Sequence, residues 1–196
     1  MNAQASSIGS AGGAFLYQEH SGRGAPLVLL HGWGMNLRVF DALRASLSQH
    51  YALTALDLPG HGASAWPAGW TPERQLKTIA AVVPPGATLI GWSLGGQLAL
   101  ALAADRARDI RRLVLIASTP CFTARDGWEH GLPAATLQQF ADALEQDPQG
   151  VLSQFLELQV RGSTAAAEVR AALSGALEQH GSARLPALKA GLALLA

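Results

Sequence analysis

Leu89-Ile90-Gly91-Trp92-Ser93-Leu94-Gly95-Gly96 is the stretch that decides how this chain of 196 residues is read. A short apolar run ends at Gly91, Ser93 has a glycine two residues to either side, and an Ala/Leu-rich helical pattern begins at once. A nucleophile elbow needs that order. A strand there turns so abruptly into a helix that the serine is held in a strained backbone conformation, with its hydroxyl raised above the sheet edge. Small residues at 91 and 95 have a steric reason, because a side chain at either would meet neighbouring backbone. The competing reading is a glycine-rich loop whose serine merely caps the helix. Strand before, helix after and a second glycine-rich strand end upstream favour the nucleophile.

Working outward, Leu27-Val28-Leu29-Leu30 is continuously apolar, as a strand covered on both faces must be. It closes on His31-Gly32-Trp33-Gly34. Ala14 to Gln18 carries strand content, and Ser21 to Gly24 between the two runs predicts a hairpin opening the sheet. Leu37 to Ser48 has a helical period. Leu53 to Leu58 reads as a strand running into Asp57-Leu58-Pro59-Gly60-His61-Gly62. Thr71-Pro72 opens a helix that ends before Pro84-Pro85. Thr88 to Trp92, a helix from Leu94 to about Ala104, and the strand Leu113 to Ala117 follow. Strands alternating with helices give an α/β chain with a mostly parallel sheet, and such sheets bind ligands at the carboxyl ends of their strands, where His31 to Gly34 and Ser93 fall.

After Pro120 the strand runs stop. Thr136 to Glu145, a helix opening at Asp147-Pro148, and Ala165 to His180, stopped by Gly181, predict a helical cap over the strand ends. The chain divides into a flexible leader over 1–13, a core over 14–120, a cap over 121–185 and a return toward the core over 186–196.

Hydrophobic residues make up 49% and charged residues 14%, so a packed core is expected. Fourteen basic and fourteen acidic residues cancel and give no electrostatic footprint for nucleic acid or an anionic membrane. Cys121 is the single cysteine, which excludes an internal disulfide and suits a reducing cytoplasm. The leader lacks a basic start and an apolar run and does not read as a signal peptide, and no run is long enough to cross a bilayer. No Cys/His spacing suggests a metal and no glycine-rich loop with lysine suggests phosphate, so no cofactor is expected.

Five segments carry a resemblance to the α/β-hydrolase superfamily and, more narrowly, to the pimeloyl-[acyl-carrier protein] methyl ester esterases of biotin synthesis. Leu29 to Asn36, Asp57 to Ser64 and Gly91 to Gly96 are shared by many hydrolases. Ser118 to Trp128 and Phe155 to Gln159 are narrower. The resemblance implies an α/β-hydrolase fold with a helical cap, and Ser93 as the nucleophile attacking an ester carbonyl. It also implies the backbone N–H groups of Trp33 and Leu94 as oxyanion donors, and Phe155, Leu156, Glu157, Leu158 and Gln159 facing the substrate. Donors already fixed when the charge forms are what an oxyanion requires.

The other candidates read as structural. His31, His61 and Asp57 precede the serine, whereas the fold's order is Ser, then Asp or Glu, then His. His31 is expected to be a hydrogen-bonded structural residue, His61 a turn residue, and Asp57 a loop anchor. His130 and His180 follow Ser93 but fall in the cap. Cys121 reads as a small apolar residue. Trp33, Trp92, Phe122, Trp128, Phe155 and Leu158 serve either as core or as the walls of an apolar slot suited to an acyl chain.

In this family the triad acid and base sit in loops after two further strands, so the expectation is a carboxyl-truncated hydrolase lacking the C-terminal strands and nearly inactive as written. The strand 113–117 is then expected at a sheet edge with an apolar face. The implied partner is an acyl carrier protein, which is acidic. Yet residues 121–196 hold five Lys/Arg against eight Asp/Glu, and the helix opening at Asp147 has no arginine before Arg161. The leading expectation is a serine carboxylesterase for the methyl ester of a medium acyl chain. A broad short-chain esterase or lactonase, and a non-catalytic binding module, stand as alternatives.

Overall fold

Leu27-Val28-Leu29-Leu30 lies beside Thr88-Leu89-Ile90-Gly91, in parallel, at the centre of a six-stranded sheet. The computed structural model describes residues 4–9, 15–105 and 109–196, with side chains from residue 15 onward. Its strands are β1 (Gln4–Gly9), β2 (Phe15–Ser21), β3 (Ala25–Leu30), β4 (Tyr51–Leu56), β5 (Ala87–Trp92) and β6 (Ile110–Ile116), in the order β1-β2-β4-β3-β5-β6. β4, β3, β5 and β6 are parallel, and β1 and β2 are antiparallel. A short 3-10 helix (Leu37–Phe40) leads into α1 (Asp41–Leu47), and α2 (Pro72–Ala80) and α3 (Leu94–Asp105) follow their strands. After β6 come α4 (Ala134–Gln146), α5 (Pro148–Val160), α6 (Ala166–His180) and α7 (Leu185–Leu195).

The alternation along β3 explains the layering. Val28 and Leu30 point into a core with Leu16, Leu56, Leu89, Ile79 of α2 and Leu98 and Leu102 of α3, while Leu27 and Leu29 point the other way, against Leu37, Phe40 and Leu53. Each such side chain removed from water contributes about 1.5–3 kcal/mol. A parallel sheet is stable only when both faces are covered in this way. α2 opens as the sequence predicts, with the Thr71 hydroxyl accepting from Arg74 N and Pro72 in the first turn.

The hairpin expected between β2 and β3 does not form. β3 takes parallel partners on both sides, so β2 is displaced outward and pairs antiparallel with β4, Gln18 opposite Leu56 and Ser21 opposite Leu53. The stretch read as a leader supplies β1, paired to β2, and Ala14 lies outside the described residues. β4 starts two residues earlier than its apolar run and stops at Leu56, freeing Asp57 and Leu58 for the loop. β6 ends before Ala117, whose φ of 44° is left-handed and cannot continue a strand.

α7 returns to the core. Leu188, Leu192 and Leu195 join the cluster beneath the sheet's carboxyl ends, together with Leu144 of α4 and Val151 and Leu152 of α5. At the opposite margin β6 is a sheet edge, with Val114 41%, Leu115 38% and Ile116 41% exposed. An unpaired apolar edge is a template for association. Replacing Val114 and Ile116 by lysine is expected to cut self-association in sedimentation or light scattering while shifting the melting temperature by no more than a few degrees. These side chains already face water and contribute little to the core.

Candidate active site

β5 ends at Trp92 and α3 begins at Leu94, so the whole turn is one residue, Ser93, at φ 53°. A non-glycine residue rarely adopts that region, and here the surroundings hold it there. Ser93 N donates to Ile116 O of β6 (3.0 Å), and Ser93 O accepts from Gly96 N (2.9 Å), Gln97 N (3.2 Å) and the Ser118 hydroxyl (2.8 Å). The glycines make the turn sterically feasible. A Cβ on Gly91 would fall on the Gly95 carbonyl, and one on Gly95 would overlap the Leu30 and His31 carbonyls at the end of β3. A cap serine would spend its hydroxyl on a backbone N–H, and no such bond is made among the described residues.

Two main-chain donors flank this serine. Leu94 is the first residue of α3, and its N–H has no carbonyl one turn back to accept it. Trp33 follows Gly32 in the loop after β3, and its N–H likewise has no acceptor among the described residues. The Gly32–Trp33 peptide is held rigidly. His31 Nδ1 donates to Gly32 O (2.8 Å), the Trp33 indole N–H donates to Leu188 O of α7 (2.8 Å), and the Trp33 ring meets Phe155 edge-on at 5.0 Å. Gly32 itself lies against Ser93 and Trp92, leaving little room for a Cβ.

The histidines are committed elsewhere. His31 Nε2 accepts from Leu58 N (2.9 Å), which fixes its tautomer, and burial beside His61 holds its pKa well below the usual value. His61 donates from Nδ1 to Pro59 O (3.1 Å), and burial pulls its pKa down to about 4. His180 Nε2 donates to Asp57 Oδ2 (2.7 Å), and His130 is exposed in the loop before α4. Among the described residues, none of these imidazoles hydrogen-bonds the Ser93 hydroxyl. Asp57 anchors loops as the sequence predicts, accepting from Leu37 N and Ala63 N (both 2.9 Å). Burial raises its carboxyl pKa against the opposing pull of those donors and of His180. Cys121 is buried, its thiol donating to Thr123 O (3.2 Å).

Ser93 opens into a cavity of about 260 Å³ lined from the loop side by Trp33, Ala117 and Phe122, from α4 by Thr136, Leu137 and Phe140, and from α5 by Phe155, Leu158 and Gln159. Leu156 and Glu157 do not line it. On a helix, 155, 158 and 159 share a face, whereas 156 and 157 turn away. Leu156 is buried behind, and Glu157 pairs with Arg170 of α6 at 2.7 Å. Trp92 packs on the other face of the sheet and Trp128 donates to Cys121 O, so neither lines the cavity. Sequence reading passed over the α4 wall and Leu192 and Leu195 of α7. The spacing of Thr136, Leu137 and Phe140 along α4 signalled a common face, and Leu132 joins them from the loop before it.

The model of the alpha/beta hydrolase family matches residues 27–195. This chain belongs to the alpha/beta hydrolase family. The hydrolase is 42% identical to a pimeloyl-[acyl-carrier protein] methyl ester esterase of Nitrosomonas europaea over 93% of its own length and 72% of the relative's. It is 36% identical to the protein of that name in Nitrosospira multiformis, covering 92% and 71%. Among solved structures it superposes on an esterase of Exiguobacterium antarcticum with a TM-score of 0.84 at 24% identity, covering 98% of this chain and 74% of that one. Carboxylic ester hydrolysis is therefore its class of chemistry. No helix among the described residues is long and apolar enough to cross a membrane.

Because His31 and His61 are neutral in the folded hydrolase, the unfolded chain binds their protons first as pH falls through 6.5. Their contribution to stability is complete above that value. Below it the loss is about 1.4 kcal/mol per pH unit for each, continuing to about 4 for His61. Urea midpoints measured between pH 7.5 and 5 are expected to fall accordingly. The His61→Gln variant is expected to lower the slope by about one proton.

Proposed function

We propose that Ser93 is the nucleophile of a carboxylesterase acting on the methyl ester of a medium acyl chain, carried as pimeloyl-[acyl-carrier protein]. The observation that carries this reading is the left-handed φ of Ser93 at the mouth of an apolar slot, between two main-chain N–H groups that have no acceptor among the described residues. Ser93 Oγ bonds to the ester carbonyl carbon, the carbonyl oxygen takes up the negative charge, and the N–H groups of Trp33 and Leu94 receive it. The oxyanion collapses as the bond to methoxide breaks, methoxide takes up the proton that the Ser93 hydroxyl gave up and leaves as methanol, and water then hydrolyses the acyl-serine to the free acid and restores the hydroxyl. One such donor is worth about 3 kcal/mol of transition-state stabilisation.

The slot fits a slender acyl chain. At about 260 Å³ it lies just under the ~300–1,000 Å³ common for drug-sized ligands. Its walls are aliphatic and aromatic except for Thr136, Gln159 and Ser93. The names of the relatives at 42% and 36% identity support the carrier-linked methyl ester. A broad short-chain esterase or lactonase is the second reading, favoured by the cap's charge. Arg170 and Lys189 are already paired to Glu157 and Glu145, which leaves an acidic carrier few free cations.

A serine hydroxyl is a weak nucleophile until a base takes its proton, and the histidines described above are committed to other partners. The chain's own turnover is then the residue left by oxyanion stabilisation and binding, of order 10³–10⁴ over water. A fluorophosphonate probe is expected to label Ser93 slowly, and the Ser93→Ala variant not at all. A chimera supplying the stretch of the Nitrosomonas europaea relative that the match leaves uncovered is expected to label stoichiometrically. It should also hydrolyse pimeloyl-[acyl-carrier protein] methyl ester faster than dimethyl pimelate. Absence of labelling in both forms ends the nucleophile reading, and equal rates on carrier-linked and free esters favour the second reading.

A further inference from the structure

α6 covers the outer side of α5, whose inner face walls the slot, yet α6 buries only Ala176. Apolar burial therefore does little to hold it in place, and its attachment has to be sought among polar contacts. They concentrate at its last turn. His180, the final helical residue, reaches across 123 positions of sequence to Asp57, donating from Nε2 to Oδ2 at 2.7 Å, with its ring against Tyr17 at 4.9 Å. Beside it the Asn36 side-chain amide donates to Ala176 O (2.8 Å) and Gly181 O (3.0 Å), and Arg184 N donates to Gly60 O (2.8 Å).

The receiving end is buried and multiply hydrogen-bonded. Asp57 is fully buried and is tied to Leu37 N and Ala63 N, and the next residue's N–H bonds His31. His31 in turn orients the Gly32–Trp33 peptide. The last turn of α6 is thus joined, through Asp57 and His31, to the peptide that presents an oxyanion donor.

We propose that the His180–Asp57 pair is the latch that seats the helical cap over the Ser93 slot, which makes both of them positioning residues for the acyl chain. Because a carboxylate only accepts, the latch needs an N–H at the Nε2 position of residue 180 and nothing else of the imidazole. Glutamine places an amide N–H there and leucine does not. His180→Gln is therefore the rescue and His180→Leu the loss, and neither touches Asp57, whose other bonds the loops need.

The test is amide hydrogen exchange on the full chain at neutral pH, with binding of decanoate measured by displacement of 1-anilinonaphthalene-8-sulfonate. In His180→Leu, exchange across 166–180 and 148–160 is expected to rise tenfold or more while β3 and β5 keep their protection, and decanoate affinity is expected to fall about tenfold. His180→Gln is expected to stay within twofold of the unaltered chain in both. Unchanged exchange in His180→Leu, equal loosening in both variants, loosening that extends equally to β3 and β5, or loosening without loss of decanoate affinity each overturns the latch. The affinity arm rests on the acyl-slot reading. If the unaltered chain binds no decanoate, that reading fails by itself, and exchange alone decides whether the latch seats the cap.

Discussion

Between the carbonyl oxygens of Leu30 and His31 and the α-carbon of Gly95 there is room for a hydrogen atom and nothing larger. This close approach lets α3 start directly against the end of β3. Because α3 starts there, the link from β5 is a single residue, and because the link is a single residue, Ser93 is forced to φ 53°. The strain, of order 1–3 kcal/mol for such a residue, is borne by the sheet pairing on both sides of β5 and by the bonds that fix Ser93 N and O. Both proposed oxyanion donors follow from the same packing. One is the first N–H of the helix that Gly95 admits, and the other belongs to the loop leaving the strand that Gly95 touches.

The neighbouring loops show how a buried polar network supplies rigidity where a loop alone would be mobile. His31 is buried and neutral, with one ring nitrogen donating and the other accepting, so it spans the loops after β3 and β4 with no charge to solvate. Asp57 is buried, which raises its carboxyl pKa, and three donors oppose that rise. Removing any one partner from such a network leaves a buried group unsatisfied, which costs about 1–3 kcal/mol and more for a charge. The geometry of the proposed oxyanion donors is thereby fixed by residues that do not line the cavity.

What could be read from the chain was what local chemistry encodes. Continuous apolar runs gave β3 and β5, Thr71-Pro72 gave the start of α2, and glycines two residues either side of Ser93 gave the elbow. What escaped was non-local. The turn at Ser21 to Gly24 looks like a hairpin, and nothing near it says that β4 inserts between the strands it joins. The segment 155–159, expected to face the substrate, came as a contiguous block, whereas a helix turns only every third or fourth residue toward a cavity, so that Phe155, Leu158 and Gln159 line it and Leu156 and Glu157 do not. His180 carries no signal toward Asp57, because the two meet only when α6 folds back over the loops.

The central claim is that a negative oxygen formed on a carbonyl attacked by Ser93 is met by the main-chain hydrogens of residues 33 and 94. The most direct measurement is a crystal structure of the chain with its Ser93 hydroxyl converted to a stable alkylphosphonate. One phosphonyl oxygen is expected about 2.7–3.1 Å from both Trp33 N and Leu94 N, with the alkyl arm running between Phe140 and Phe155. A phosphonyl oxygen directed to solvent, with both amides left without an acceptor, would contradict it.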